Sequence, residues 1–322
     1  MSARRKLWLA LITVYVLWGS TYLSIRVAVR TLPPFLMAAT RFLVAGLILL
    51  ALTIRRGDRT ADPIGARQWG AAAIVGTLLL LGGNGLVSWS ERRIDSGVAA
   101  LIVATVPIWM AVFAATLGAE RLRARTVAGL ALGFAGVALL IRSAGSDGGP
   151  VDLLGGLGVV LASLLWAFGS ILSRRLSLPK RPLVATSMEM LAGGAALALT
   201  GLLSGELRGF SPSQVSLESL LGLGYLIVFG SWAAFSAYVW LLANARPSLV
   251  STYAYVNPVI AVFLGWLILH EPVTPLTLLA AAVIVGAVAV IVRSEPAREA
   301  RRSRRREGAE PAERALAGPP GD

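Results

Sequence analysis

The chain has 322 residues, of which 56% are hydrophobic and only 15% are charged. Its mean hydropathy of +0.72 is far above that of a soluble globular domain and predicts that the protein is embedded in a bilayer. The net charge of +13 does not indicate nucleic-acid binding, because the basic residues form short clusters between apolar runs. The chain has no cysteine, which excludes disulfides, thiolate nucleophiles and cysteine-ligated metal centres.

Ten apolar runs predict an all-α membrane protein of ten transmembrane helices, since a helix needs about 20 apolar residues to cross the hydrocarbon core. The first run is too long for a cleaved signal peptide and is interpreted as an uncleaved helix. The fifth run is short, so a thinned bilayer or a re-entrant segment are its two interpretations. The alternating pattern of barrel strands is absent. The runs are 7–25, 32–54, 69–90, 96–119, 126–141, 153–173, 182–205, 219–245, 247–269 and 272–292.

Loop charges predict the orientation in the cell (inner) membrane. Alternate connections between the runs carry more Lys and Arg than the others, which by the positive-inside rule places both termini in the cytoplasm. Residues 1–6 are then a cytoplasmic N-terminus. Residues 293–322 are predicted to be a disordered basic cytoplasmic tail, either attracted to anionic lipid headgroups or a solvated flank.

The two halves of the chain repeat each other. A shift of 148 residues superposes Trp18 on Trp166, Arg26 on Arg174, Pro34 on Pro182 and Gly46 on Gly194. A shift of 151 superposes Trp89 on Trp240, Pro107 on Pro258 and Glu120 on Glu271. The repeats are 7–141 and 153–292, joined by an external linker at 142–152. Because each repeat holds an odd number of spans, the second copy is predicted to enter the membrane inverted, as in many secondary transporters.

Several motifs in the two halves resemble the EamA family of the drug/metabolite transporter (DMT) superfamily and, within it, the YedA-type exporters. The resemblance implies a ten-helix permease of two EamA domains that moves amino acids, metabolites or drugs, commonly outward. The second copy has Ala167 where the first has Gly19, a departure from the repeated pattern. The motifs are LWGSTY at 17–22, RFL at 41–43, GGNG at 82–85, VATVP at 103–107, LWAFGS at 165–170, EML at 189–191 and STYAYVNP at 251–258.

Two charged residues, Arg41 and Glu189, lie well inside predicted spans, where each costs roughly 2.5–3.5 kcal/mol on insertion scales. They occupy equivalent positions of the two repeats. One hypothesis is that Glu189 takes up a proton or a substrate amine, while Arg41 binds an anionic group or holds a gate. The alternative is that both residues only tie helices together through hydrogen bonds.

Two prolines, Pro107 and Pro258, fall near the middle of the fourth and ninth spans, where each removes a backbone hydrogen bond. A helix break at that depth can form a binding site. Asn257, Tyr253 and Tyr255 would then place polar groups and rings beside the second break. Packing of kinked helices is the competing interpretation.

Further candidates for the substrate pathway are Trp18, Tyr22, Asn84 and Trp166. Both tryptophans lie deep in their spans, away from the interfacial belt where Trp is usual, and they are candidate walls for an amphipathic ligand. Asn84 is flanked by glycines that permit close helix approach. Helix packing explains these residues equally well.

The acids Glu120 and Glu271 end the fourth and ninth spans and are interpreted as helix-capping residues of the hairpins, because negative charge is favourable at a helix N-terminus. His270 is the only histidine, so a metal site is not predicted. No cofactor motif is present either.

The sequence therefore favours a secondary transporter, and among these an exporter of small molecules by alternating access, with proton coupling as a further hypothesis. A membrane enzyme would need a clustered nucleophile, base or metal set, and a pump would need a phosphate-binding loop; the sequence has neither. The alternatives are a non-transporting sensor or scaffold, an importer, and a facilitative channel. Lipid and a small-molecule substrate are the expected partners, and nucleic acid is not.

Overall fold

The computed structural model describes residues 3–55, 64–116, 124–142, 151–244 and 253–293, and these residues are mainly helical. Glu120 and the tail beyond 293 lie outside the described residues. The helices of the first half are α1 (Ala3–Ala28), α2 (Pro34–Arg55), α3 (Ala66–Gly76), a π-helical segment π1 (Thr77–Gly85), α4 (Leu86–Ser90), α5 (Ser96–Val103), α6 (Val106–Thr116) and α7 (Ala124–Ile141).

The second half follows the same order. Its helices are α8 (Leu153–Ser173), α9 (Pro182–Leu203), α10 (Leu217–Tyr225), a second π-helical segment π2 (Leu226–Ala233), α11 (Ala234–Asn244), α12 (Tyr253–Leu269) and α13 (Pro275–Arg293). A short 3₁₀ turn, Pro212–Gln214, precedes α10.

Within the described residues, six helices are long and apolar enough to cross a membrane, and four shorter apolar helices accompany them. Large apolar side chains cover the outside of the bundle: Leu47, Leu203 and Trp266 are 59%, 79% and 52% exposed. Helices that are apolar on the outside as well as the inside are typical of a membrane protein. The predicted all-helical membrane class is confirmed for the described residues.

The equivalent helices α2 and α9 pack against each other in opposite directions. A Cβ atom at Gly46 would lie 3.1 Å from Leu191 Cγ, and one at Gly194 would lie 2.9 Å from Leu43 Cγ. The shift of 148 exchanges these two contacts, because it takes Leu43 to Leu191 and Gly46 to Gly194. As α2 runs from 43 to 46, its partner runs from 194 back to 191, so the helices are antiparallel.

Hydrogen bonds at both ends of this pair give the same direction. The backbone N–H of Leu36, at the start of α2, donates to Glu206 Oε2 just after α9, at 2.9 Å. Arg181 Nη2, just before α9, donates to the carbonyl of Thr53 near the end of α2, at 3.1 Å.

The other contacts between the halves also come in equivalent pairs. Helix α1 packs against α11 and α12, and its counterpart α8 packs against α4 and α6. Helix α2 packs against π2, and its counterpart α9 packs against π1. The two halves therefore share one arrangement of helices about a common interface.

Four connections that the loop charges predict to be external meet at one end of the bundle, which we call the outer end. The N–H of Ser216 donates to Thr31 Oγ1 at 3.2 Å, which joins the α9–α10 and α1–α2 connections. The N–H of Ser96, which begins α5, donates to Glu271 Oε1 in the α12–α13 connection at 2.9 Å. This grouping agrees with alternate connections lying on opposite sides.

Candidate functional site

Each half carries a π-helical segment at the same place: π1 lies between α3 and α4, and π2 lies between α10 and α11. A shift of 148 takes π1 onto 225–233, and π2 covers Leu226–Ala233. It also takes Gly82 onto Gly230. Segments of π-helix are rare and often occur at functional sites. Their wider turn moves backbone carbonyl groups out of the regular hydrogen-bond pattern of an α-helix. The two segments mark where each half differs from a plain α-helix.

Arg41 and Trp18 meet on π2. Arg41 is 5% exposed, and its Nε donates to Ser231 Oγ at 2.8 Å. Trp18 Nε1 donates to the carbonyl of Gly230 at 3.2 Å. A Cβ at Gly230 would lie 3.2 Å from Arg41 Nη2, so a side chain here would crowd the guanidinium. The guanidinium also lies 4.7 Å from the ring centroid of Phe42, in cation–π geometry.

Trp18 is the centre of an aromatic cluster that joins α1, α11 and α12. Its ring centroid lies 5.5 Å from that of Phe235, 4.9 Å from that of Tyr238 and 5.1 Å from that of Tyr253. Tyr238 and Tyr253 lie 5.8 Å apart, with their rings perpendicular. Together with Arg41, these rings provide a cation, hydroxyl groups and apolar faces, the combination that binds a small amphipathic anion or amino acid.

Asn257 and Tyr22 lie beside this cluster. Asn257 is 7% exposed, and with its amide nitrogen as donor it reaches the carbonyls of Tyr253 and Tyr15 at 3.2 and 3.3 Å. It therefore ties α12 to α1. Tyr22, one turn beyond Trp18, is partly buried against the main apolar core. The side chain of Tyr255 lies outside the described residues.

The equivalent site in the other half has different contacts. A Cβ at Gly83 in π1 would lie 2.6 Å from Trp166 Cε3, so this ring fills the space beside the π-helical segment. Asn84 and Glu189 are partly buried. Among the described residues, no hydrogen bond or ion pair of the Glu189 carboxylate is found, and none joins it to Arg41. The structure therefore separates the two intramembrane charges.

The two prolines behave differently. The fourth span is interrupted at Ala104–Thr105, between α5 and α6, and Pro107 is the second residue of α6, a position that needs no backbone donor. The Thr105 carbonyl instead accepts the N–H of Ile108 at 2.8 Å. Pro258 lies inside the continuous helix α12. A break thus accompanies the first proline only.

Glu271 caps a helix of the opposite half. Its carboxylate accepts the N–H and hydroxyl of Ser96 and the N–H of Gly97, at 2.9, 2.9 and 3.2 Å. These donors form the N-terminus of α5, where negative charge is favourable. The sequence predicted a capping role within its own hairpin, and the partner in the structure is α5. The other predicted capping acid, Glu120, lies outside the described residues.

Glu271 is part of a buried charged group at the outer end, the outer polar cluster: Arg26, Glu91, Asp95, Ser96 and Glu271. Arg26 Nη1 donates to the backbone carbonyl of Glu91, and Arg26 Nη2 lies 3.8 Å from Asp95 Oδ1. Glu91 and Asp95 are 0% and 6% exposed. Within the described ranges, no three His, Cys, Asp or Glu residues are arranged to hold a metal ion.

A separate groove of about 530 Å³ opens on the side of the bundle between α12 and α13. Its lining is apolar and includes Leu101, Pro258, Phe263, Trp266 and Leu278. Of the predicted pathway residues, only Pro258 faces it, so the groove is distinct from the Trp18–Arg41 site.

Several residues of these sites have no signal of their own in the sequence. Ser231 lies within π2, and Phe235 and Tyr238 follow it in the same apolar run. The equivalence of Gly230 with Gly82 is the sequence feature that points to this segment. Glu91 and Asp95 sit in a charged connection that resembles an ordinary solvent-facing loop.

Comparisons with known proteins agree with this architecture. The model of the EamA-like transporter family matches residues 6–142 and again residues 153–293. The chain is 40% identical over 283 residues to the Escherichia coli K12 protein named "uncharacterized inner membrane transporter YedA", covering 88% of this chain and 89% of that one. It is 24% identical over 292 residues to the Bacillus subtilis transporter YvbV, covering 91% and 93%. A solved crystal structure, 25% identical, superposes with a TM-score of 0.59 over 88% of this chain and 94% of the other.

Proposed function

Because this chain belongs to the EamA-like transporter family and is a membrane transporter, we propose that it is a secondary exporter of small metabolites, amino acids or drugs that works by alternating access. Each half, 7–141 and 153–292, is one inverted five-helix repeat, and both termini are cytoplasmic. The relatives named as transporters support the class of function, and the direction of transport is part of the proposal.

The antiparallel packing of α2 and α9 is the observation that carries this proposal. Two equivalent helices that run in opposite directions are what an inverted repeat requires, and the exchange of the Gly46–Leu191 and Leu43–Gly194 contacts supports a twofold relation between the halves. In inverted-repeat carriers, one repeat rocks against the other around a site near the midplane.

The substrate site is the group around Arg41 and Trp18 on π2. The Arg41 guanidinium binds an anionic group of the substrate, and the rings of Trp18, Tyr238 and Tyr253 hold its apolar part. Among the described residues, the Arg41 guanidinium makes one side-chain hydrogen bond, to Ser231. Its other N–H groups are therefore available to a ligand. Glu189, at the equivalent position of the other repeat, binds a substrate amine.

Transport by purified protein tests the proposal. Proteoliposomes containing the chain are assayed for counterflow of individually labelled amino acids, after a growth screen has compared cells with and without the protein on amino acids and drugs. Saturable counterflow is expected, together with uptake into everted vesicles, since export fills such vesicles. Flux that does not saturate would favour a channel, and no flux by folded protein for any compound of the screen would favour a sensor or scaffold.

A further inference from the structure

Glu91 is a buried acid whose carboxylate has no hydrogen-bonding partner among the described residues. It follows the last residue of α4, at the outer end, and is 0% exposed. Neither of its carboxylate oxygens accepts a hydrogen bond from any group among the described residues. A carboxylate buried in this way is costly when ionised, because neither water nor a donor stabilises its charge.

The charged groups around Glu91 come from three other parts of the chain. Arg26 and Tyr22 face it from α1, Arg41 acts on it from α2, and Glu271 acts on it from the α12–α13 connection. Asp95 follows it in its own connection. Burial, and then the Glu271 carboxylate, raise the pKa of Glu91 well above its ordinary value against the opposing effect of Arg26 and Arg41.

Glu271 and Glu91 differ in their hydrogen-bonding partners. Glu271 accepts three hydrogen bonds at the N-terminus of α5. The carboxylate of Glu91 accepts none among the described residues, so an ionised Glu91 would be desolvated and also repelled by the Glu271 carboxylate. The geometry of this end therefore fits a neutral Glu91 beside the Glu271 carboxylate.

We propose that Glu91 is a proton-binding site of the transporter and that its proton keeps the outer end closed. This inference rests on the alternating-access function proposed above. When the carboxylic O–H bond breaks, the proton passes to water at the outer end and a carboxylate remains. Arg26, which already donates to the Glu91 backbone carbonyl, is a cation that can pair with it.

The switch acts through the contact between the Glu271 carboxylate and the N-terminus of α5. A negative charge on Glu91 repels the Glu271 carboxylate, so loss of the proton loosens the α12–α13 connection from α5. In the closed arrangement, Ala99 of α5 lies in a buried apolar cluster against which Val262 of α12 packs.

Infrared spectroscopy tests the proton site without a known substrate. The full chain is placed in vesicles of phosphatidylethanolamine and phosphatidylglycerol and titrated with pH. The wild type is expected to show a protonated-carboxyl band that disappears as the pH rises. Glu91→Gln should lack this band and Glu189→Gln should keep it. The same band and titration in Glu91→Gln would overturn the proposal, and Glu91→Leu serves as a second variant should Glu91→Gln fold poorly.

Cysteine labelling tests the link to closure, and the absence of native cysteines leaves no background. Ala99→Cys, at a site 0% exposed, is labelled with a membrane-impermeant maleimide, and its rate is divided by that of Arg92→Cys, at an exposed site of the same connection, at the same pH. The division removes the pH dependence of the thiol itself, because the thiolate is the nucleophile. This ratio should increase as the external pH rises, and in the Glu91→Gln background it should stay low at every pH.

The outcomes separate this inference from the transport proposal. A pH response of Ala99→Cys that persists in Glu91→Gln, or no response in the wild type, would overturn the switch. Saturable counterflow without titration of Glu91 would overturn the proton site alone. A switching protein that transports nothing would instead overturn the proposed function.

Discussion

The two halves of the molecule share a scaffold and differ in chemistry. Arg41 and Glu189 occupy equivalent places in α2 and α9, yet the buried Arg41 donates to Ser231, while no hydrogen bond of the partly buried Glu189 is found among the described residues. Trp18 donates to a π2 carbonyl, while Trp166 packs against Gly83 of π1. Equivalent residues thus lie at corresponding places in the two halves but have different contacts. The likeness of the two halves concerns helix packing, and the candidate site lies mainly beside π2.

Removing Arg41 is expected to have the largest effect, because it deletes the cation that is proposed to bind the substrate. Arg41→Ala should abolish saturable counterflow in proteoliposomes. Arg41→Lys keeps the charge but loses the planar fork, and should retain partial activity with a raised KM. Both proteins should still reach the membrane, which a surface-labelling assay checks. Full activity of Arg41→Ala would remove this residue from the pathway and favour its packing role.

Glu189→Gln tests whether the second half contributes to the same substrate. If Glu189 binds a substrate amine, the KM for amine-bearing substrates should rise about tenfold, which corresponds to about 1.4 kcal/mol. The KM for substrates without an amine should hardly change, and this provides the internal control. An equal change for both kinds of substrate would mean that Glu189 acts on helix packing.

Substituting the glycines at the α2–α9 contact should lower the stability of the protein equally in the two halves. Gly46→Ala and Gly194→Ala each place a Cβ about as close to the facing leucine, at 3.1 and 2.9 Å, and each should cost roughly 1–3 kcal/mol by overpacking. Thermal unfolding in detergent measures both. Gly224→Ala, where a Cβ would meet nothing within 4 Å, is the matched control and should not destabilise. Clearly unequal losses at 46 and 194 would contradict a twofold interface.

Substituting the two tryptophans should give the smallest difference in stability between the halves. Trp18→Phe removes the hydrogen bond to the Gly230 carbonyl, worth about 0.5–1.5 kcal/mol, whereas no such bond of Trp166 is found in the described part of the chain. Trp18→Phe should therefore lower the unfolding temperature more than Trp166→Phe. The same ranking should appear in counterflow rates, and a reversed ranking would place the working site beside π1.

The sequence predicts the helices well because they depend on local patterns. The run at 182–205 corresponds to α9 at Pro182–Leu203, and the run at 7–25 lies inside α1. The equivalent positions of Gly46 and Gly194 follow from spacing alone. Their antiparallel contact agrees with the predicted inversion, which stays a prediction until the orientation of the loops is measured.

The site is less predictable because its contacts join distant parts of the chain. Arg26 and Glu91 are 65 residues apart, and Ser96 and Glu271 are 175 apart, so no local pattern reveals their partners. The prolines show a second reason. Pro107 and Pro258 have equivalent sequence positions, yet only the first accompanies a break, since a helix tolerates the loss of one hydrogen bond when its neighbours hold it in place.

The two π-helical segments have a mechanical consequence. An α-helix turns by about 100° per residue. A π-helical turn contains one extra residue, so the α-helix that follows it is rotated about its axis. If the wider turn shifts by one position along the chain, the residues that it passes rotate to a new face while the helix stays continuous. The α3–π1–α4 and α10–π2–α11 segments can therefore change which side chains face their neighbours without unfolding. Helices α2 and α9 contain no such segment and pack closely against each other at Gly46 and Gly194.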